Sequence, residues 1–206
     1  SITEIPDRMF KNCSSLASLS VIDDDMSNIT SIGAYAFYNT AFEVISITKN
    51  QNAIGDYAFA ESAHLREVTI NVNNISAYMF YNFGELEYID FRKMTKTPGV
   101  KSMRYMFNNC SKLKSLDLTN LDTSIITNIQ QAFYGCAELE RIYIDGDLIN
   151  ATTDTNAFTG CVKLQGGQGT KFSAADAGRI YAKVDKSKIT EGKEYVEYGN
   201  ERKGYL

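Results

Sequence analysis

The stretch Phe107-Asn-Asn-Cys-Ser-Lys-Leu-Lys-Ser-Leu-Asp-Leu118 carries the pattern that decides the fold. Counted from Phe107, its apolar or small side chains fall at offsets 0, 3, 6, 9 and 11. An aromatic residue and a small residue three positions later share one face of a helical turn. The last two of these positions, offsets 9 and 11, are two residues apart, which is the period of a strand that buries alternate side chains. The stretch therefore predicts a helical turn followed by a short strand.

The same frame returns along the chain, each time beginning at a phenylalanine that we take as the anchor of one repeat. The copy at Phe37 is one residue short after its anchor, and the last copy stops at Gly166. Gly33 and Gly55, each just after an inward Ile, are predicted to make tight turns. One such unit cannot bury its own apolar edge, so the copies are expected to stack with their strands in a parallel sheet. The seven anchors are Phe10, Phe37, Phe59, Phe80, Phe107, Phe133 and Phe158.

A pair of apolar residues precedes the anchors, and its spacing changes partway along the chain. In the second copy the pair, Ile29 and Ile32, lies eight and five residues before the anchor. In the sixth copy the pair, Ile126 and Ile129, lies seven and four residues before it. The change predicts two repeat subtypes, joined near residues 94–100.

Two segments resemble known repeats. The segment Ile54-Gly-Asp-Tyr-Ala-Phe59, continued to Ile70, resembles the BspA-like leucine-rich repeat of bacterial surface proteins. The stretch from Val100 to Thr127 is similar to the related repeat of lipoprotein-associated surface proteins. Pattern and resemblance together predict an α/β leucine-rich-repeat solenoid, a right-handed β-α superhelix with the parallel sheet on its concave face. The resemblance implies export to the cell surface and a role in adhesion or host-protein binding, without catalytic residues or a cofactor.

The chain is expected to divide into two parts. Residues 1–165 form the leucine-rich-repeat domain of seven repeats. Residues 166–206 lose the frame and are interpreted as a C-terminal cap with a β-hairpin, because a solenoid must cover its last apolar cross-section. The chain opens inside a repeat at Ser1, so we expect a fragment whose export signal lay upstream.

Net charge and the length of the apolar runs argue against two classes of partner, nucleic acid and membrane. The 206 residues carry a net charge of −4, which disfavours nucleic acid, since phosphate binding usually shows as a basic excess. No apolar run approaches the roughly 20 residues that a bilayer span needs, so no membrane insertion is expected. The resemblance implies a protein or a glycan as the partner, and the chain is expected to be a monomer.

The cysteines occupy one repeat position, three residues after the anchor, which other copies fill with Thr40, Ser62 and Phe83. A position that accepts such different residues is a packing position, so buried free thiols are predicted. Adjacent thiols could come within disulfide distance, but stacked side chains point in parallel. A metal site would need converging ligands, and none is expected. The four cysteines are Cys13, Cys110, Cys136 and Cys161.

Other polar residues are interpreted as ordinary surface. His64, the only histidine, has no catalytic partner at a recognisable spacing and is expected at the surface. The acidic runs 23–25 and 145–147 could bind calcium, but they lack the spacing of an EF-hand loop, so solvated loops are favoured. No catalytic constellation is found, and the chain is predicted not to be an enzyme.

The exposed side of the predicted sheet is the candidate binding surface. If offsets 9 and 11 are buried, offsets 8, 10 and 12 face solvent, and Tyr and Arg are favoured interface residues. An ordinary wet sheet face is the alternative. The candidates are Tyr88, Asp90, Arg92, Asp117, Arg141, Tyr143 and Asp145.

Three functions are consistent with the sequence. The first is a cell-surface or secreted interaction module, adhesin-like, that binds a protein or a glycan through the concave face. The second is a structural spacer of a larger surface protein, with no ligand of its own. The third is glycan hydrolysis, which would need two facing carboxylates such as Asp90 and Asp117.

Overall fold

The computed structural model describes residues 2–19, 26, 28–51, 53–72, 75–91, 94, 100–143 and 151–165. The predicted cap over 166–206 lies outside these residues, as do the acidic runs 23–25 and 145–147. The division into a repeat domain and a cap therefore stays a prediction.

Eight short strands and one 3-10 helix make up the regular structure of the described residues. We call the seven successive turns of the chain coils 1 to 7, each named by its anchor phenylalanine in chain order. The strands are β1 (Glu4–Ile5), β2 (Ser31–Ile32), β3 (Val44–Gln51), β4 (Ala53–Ile54), β5 (Glu67–Val72), β6 (Tyr88–Asp90), β7 (Ser115–Asp117) and β8 (Arg141–Tyr143), and the helix is Thr123–Ile125.

A first parallel ladder precedes the anchors. Strand β2 lies between β1 and β4, with Ile32 opposite Ile5 on one side and Ile54 on the other. In later coils isolated parallel β-bridges replace these strands. They pair Ser102 with Asn128 and Asn128 with Thr153. The coils are therefore stacked in parallel, as the repeated frame predicted.

A second parallel ladder follows the anchors. Strand β5 lies between β3 and β6, and β7 pairs with β8. Offset 9 of one copy faces offset 9 of the next, as in the pairs Val68 and Ile89 and Leu116 and Ile142. In the short second copy the equivalent residue is Ile45 at offset 8, which faces Val68. This register confirms the predicted strand at the end of each frame.

The second ladder is interrupted where the repeat subtype was predicted to change. Strands β6 and β7, both fully described, belong to separate sheets. The side-chain amide of Asn120 donates to the carbonyl of Phe91 at 3.3 Å and bridges the two coils there. On the anchor side the stack is continuous, because the amide of Phe80 donates to the carbonyl of Met106 at 3.1 Å.

The predicted helical turn is wrong in the described coils. Each anchor lies in a run of turns, and the 3-10 helix is the one helix among the described residues. The residues two positions before and two positions after every anchor have positive φ, for example Tyr105 at 54° and Asn109 at 60° around Phe107. A right-handed helix cannot contain them, because its residues all have negative φ.

Hydrogen bonding explains why turns replace the helix. The amide of Phe107 donates to the carbonyl of Ala132 in the next coil at 2.8 Å. The next amide in sequence, that of Asn108, instead donates locally to the carbonyl of Tyr105 at 3.3 Å. Amides therefore alternate between the next coil and the residue three positions back, so the α/β expectation gives way to a β-solenoid with almost no helix.

The core is a column of anchor rings. The rings of Phe107 and Phe133 stack at 5.6 Å between centroids, and those of Phe133 and Phe158 at 5.2 Å. Six of the seven anchors are buried, and Phe10 in coil 1 is partly buried. The predicted role of the anchors in the core is thereby confirmed.

Gly33 and Gly55 are explained by close approach of neighbouring coils. Neither has positive φ, so the turn itself does not require glycine. A Cβ atom at Gly55 would stand 2.4 Å from the backbone nitrogen of Ala34, and one at Gly33 would stand 2.4 Å from that of Asp7. Glycine at these positions lets two backbones pack in contact.

Candidate functional site

The strand face is the outer side of β3, β5 and β6 and of β7 and β8, where the candidate binding residues were predicted. Arg141 is exposed there, and Tyr88, Asp117 and Tyr143 are half-buried. Arg92 and Asp145 lie outside the described residues.

Asp90 does not face solvent as predicted, since only 6 % of its surface is exposed. It is the last residue of β6, beside Thr69 of β5, at the point where the second ladder is interrupted. Alternation along the strand sets which side of the sheet a side chain leaves from. It does not set what then covers the side chain, and this is why the prediction failed.

Strand register brings the remaining candidates side by side. Tyr143 is the register partner of Asp117, and Arg141 is the register partner of Ser115. In the other sheet Tyr88 is the partner of Glu67, which is exposed. A tyrosine or an arginine therefore stands next to a smaller polar residue on both parts of the strand face.

An exposed apolar side chain extends this surface. Val44 begins β3, opposite Glu67 in the register, and is 58 % exposed. Val44 directly precedes the buried Ile45 and so lies on the outer side of the strand, but it is not among the predicted binding residues. Apolar and aromatic groups beside a rim of charge are the usual composition of an interface centre.

The carboxylate of Asp117 is held within its own turn. One of its oxygens accepts hydrogen bonds from the backbone amide of Thr119 at 3.0 Å and from the Thr119 hydroxyl at 2.7 Å. With Asp90 buried and β6 unpaired with β7, these two residues do not form the solvent-facing carboxylate pair that hydrolysis would need.

Three of the four cysteines are buried hydrogen-bond donors. The thiol of Cys136 donates to the carbonyl of Phe107, the anchor of the preceding coil, at 3.0 Å. Cys161 donates to Phe133 in the same way at 3.0 Å, and the hydroxyl of Ser62 donates to Phe37 at 3.3 Å. A small donor therefore links this position to the preceding coil in coils 3, 6 and 7, whereas in coil 4 the buried Phe83 fills the position without a donor.

Cys13 departs from the prediction of buried thiols, because it is exposed. It lies in coil 1, which has a neighbouring coil on one side only among the described residues. All four cysteines are free, as predicted.

The buried thiols are poor nucleophiles. Burial raises the pKa of Cys110 to about 12, and burial together with the neighbouring Cys161 thiol raises the pKa of Cys136. Because the thiolate is the reactive form, neither group suits covalent catalysis near neutral pH.

Histidine and carboxylates form no metal site in the part of the chain that the structure describes, where no group of three or more His, Cys, Asp and Glu residues converges. His64 is exposed, as predicted. Within the same part of the chain, no helix is long and apolar enough to span a bilayer.

The turn face, formed by the segments around the anchors, carries a feature that the frame analysis missed. Tyrosine occupies the position two residues before the anchor in four successive coils, at Tyr35, Tyr57, Tyr78 and Tyr105. We call this set the tyrosine column. Its neighbouring rings stack with centroids 4.8, 4.2 and 4.8 Å apart along the column. The repeated tyrosine at one offset was a visible signal of this arrangement.

Cations cover both ends of the tyrosine column. The ammonium of Lys11 lies 4.6 Å and the guanidinium of Arg8 lies 5.7 Å from the centroid of Tyr35. At the other end the guanidinium of Arg104 lies 5.1 Å from the centroid of Tyr105. The ring faces of the tyrosine column are thus stacked on one another or covered by cations.

Comparison with known proteins gives one match. The family model described as BspA type leucine rich repeat region matches residues 1–102 and 100–167, with 6 copies. The sequence has seven anchor phenylalanines, one more than the 6 copies in the family match. The similarity of residues 100–127 to the lipoprotein-associated repeat stays a prediction. No curated protein and no solved structure matches the chain.

Proposed function

The chain belongs to the BspA-type leucine-rich repeat family, and from this membership we propose that it is an adhesin-like interaction module of a bacterial surface or secreted protein. The family is typical of surface repeat proteins that mediate protein interactions. We further propose that its ligand, a protein or a glycan, binds the strand face.

One observation carries the proposal, namely the row of side chains that the strand register aligns on the strand face. Val44, Glu67 and Tyr88 stand side by side in one sheet, and Arg141 stands beside Ser115 in the other. Tyrosine and arginine dominate binding energy at interfaces, and half-buried tyrosines are already partly ordered before binding. Each of these strands is paired with at least one neighbour, which holds the row of side chains in place before binding.

Binding of the purified chain to an array of host matrix proteins and glycans tests the proposal. We expect at least one protein or glycan to be retained by the chain, and retention to fall for Arg141→Ala. Lys101→Ala is the matched control, because Lys101 is an exposed cation beside the first ladder and not on the strand face. Equal retention by the two variants would contradict binding through the strand face.

A spacer that holds another domain away from the cell surface is the second candidate. The continuous anchor column and the inter-coil hydrogen bonds on the turn face favour it, since they give a stiff rod without requiring a ligand. Two results together would support the spacer. The chain would retain no member of the array, and its deletion from the full-length protein would abolish binding by a neighbouring domain.

A further inference from the structure

Tyr57 and Tyr78, at the middle of the tyrosine column, are the closest of the described ring pairs. Their centroids are 4.2 Å apart, with 20° between the ring planes. Both residues occupy the same position in successive coils, two residues before the anchor. Because the two side chains leave the backbone at equivalent positions and their rings stack nearly parallel, the carbons that flank each hydroxyl, the ortho carbons, lie near those of the other ring.

We propose that Tyr57 and Tyr78 form a site of oxidative cross-linking, at which a haem peroxidase and hydrogen peroxide join the two rings as dityrosine. The product is a bond within one chain, between coils 3 and 4. It requires no ligand on the strand face and is independent of the proposed binding function.

The reaction balances with one hydrogen peroxide for each cross-link. The peroxidase removes one electron and one proton from each phenol and reduces the peroxide to two waters. Each phenoxyl radical shares its unpaired electron with its ortho carbons, so a carbon–carbon bond forms between the rings. The hydrogen on each coupled carbon then moves as a proton to the phenoxyl oxygen, which restores both aromatic rings and leaves the chain lighter by two hydrogen atoms.

The backbone holds the two rings in this arrangement. Both residues have positive φ, 58° at Tyr57 and 60° at Tyr78, a conformation that bulky residues rarely adopt. The amide of Tyr78 is fixed to the carbonyl of Arg104 in the next coil at 3.1 Å. Groups held at a fixed short separation react far faster than groups that must meet by diffusion, so coupling within the chain outcompetes coupling between chains.

The ends of the column are less suited to the reaction. The ammonium of Lys11 lies 4.6 Å from the ring centroid of Tyr35. The guanidinium of Arg104 lies 5.1 Å from the centroid of Tyr105 and 5.5 Å from that of Tyr78, so the shortest cation distances are those to the rings at the ends of the column. A nearby positive charge disfavours loss of an electron. The outer ring pairs of the column are also further apart, at 4.8 Å each.

A cross-link here would act as a staple between two coils. In a solenoid each coil contacts only its neighbours, so the chain can open at a single junction between coils. A covalent bond across the junction between coils 3 and 4 prevents that local opening. The cross-linked chain should therefore resist heat and proteases better than the untreated chain.

Treatment of the dilute, purified chain with a haem peroxidase and hydrogen peroxide tests the proposal. We expect dityrosine fluorescence in material that runs as a single chain on a denaturing gel. Peptide mapping should show one joined pair of peptides, containing Tyr57 and Tyr78, lighter by two hydrogen atoms. Tyr57→Phe and Tyr78→Phe should each lose most of the single-chain fluorescence.

The control is Tyr134→Phe, because Tyr134 is 37 % exposed on the turn face and lies outside the tyrosine column. It should keep the single-chain product. Phenylalanine preserves the stacked ring, and an unchanged circular dichroism spectrum will show that each variant is folded. The proposal is overturned if the product joins different tyrosines, if it appears only between chains, or if urea-unfolded chain gives the same yield.

Discussion

The thiol of Cys136 donates a hydrogen bond to the backbone carbonyl of Phe107, one coil earlier, at 3.0 Å. The same carbonyl also accepts the amide of Cys110 in its own coil at 3.2 Å. One carbonyl therefore ties its own turn to the following coil. A side chain that looked like simple packing in the sequence serves as a connector between repeats.

Thiol labelling should separate the cysteines by their place in the stack. In the native chain we expect Cys13 alone to react with a thiol reagent, even near pH 9, because the other three are buried and burial raises the pKa of Cys110 and Cys136. In denaturant all four cysteines should react. Rapid labelling of more than one thiol in the native chain would contradict the buried connectors.

Phe107→Ala should destabilise the chain by about 3–5 kcal/mol, the usual cost of emptying a buried phenylalanine site. Phe107 is fully buried and stacks on Phe80 and Phe133. Urea unfolding measures the change, and Tyr134→Ala is the control, expected within about 0.5 kcal/mol as for most surface substitutions. Similar unfolding curves for the two variants would show that the anchor column does not hold the coils together.

Gly55→Ala should destabilise the chain by about 1–3 kcal/mol, because the new Cβ would overlap neighbouring backbone that cannot easily move. The nearest atom, the nitrogen of Ala34, lies only 2.4 Å from the Cβ position. Gly84→Ala is the matched control, since the nearest atom there is the Ser111 hydroxyl oxygen at 3.8 Å. That variant should be neutral or more stable by up to about 1 kcal/mol, through the reduced entropy of its unfolded chain. Thermal unfolding of both variants checks the difference, and a Gly55→Ala chain as stable as Gly84→Ala would refute the close approach of coils.

Alkaline pH should destabilise the chain through its tyrosines. Burial, followed by the hydrogen bond with Tyr78, raises the pKa of Tyr57 in the folded chain. Burial likewise raises the pKa of Tyr38 and Tyr81. The unfolded tyrosines ionise near pH 10, so above about that pH ionisation favours the unfolded chain, and stability is lost as pH rises toward the folded pKa values.

Melting temperature measured between about pH 8 and 11 checks this prediction. Tyr57→Phe removes one of the shifted groups while keeping the ring, so its melting temperature should fall less steeply with pH. Tyr134→Phe should retain the slope of the unsubstituted chain. Identical slopes for Tyr57→Phe and the unsubstituted chain would argue against the shifted Tyr57.

The strands and their register were predictable because the period of two and the alignment of copies both depend on local spacing. The turn segments were not, since a spacing of three is shared by helices and by consecutive turns. A signal was present two residues after the anchors, where Asn82, Asn109, Gly135 and Gly160 stand, because Asn and Gly favour positive φ. The burial of Asp90 depends on what covers the sheet between coils 4 and 5, which alternation along one strand does not encode.

Binding through the strand face is tested most directly by the dissociation constant of a captured ligand for Tyr143→Ala and Tyr134→Ala, measured side by side. Both variants remove one tyrosine, the first from β8 on the strand face and the second from the turn face. We expect Tyr143→Ala to weaken binding at least about tenfold and Tyr134→Ala to leave it unchanged. Equal affinity of the two variants, or a larger loss for Tyr134→Ala, would contradict the assignment of the binding site to the strand face.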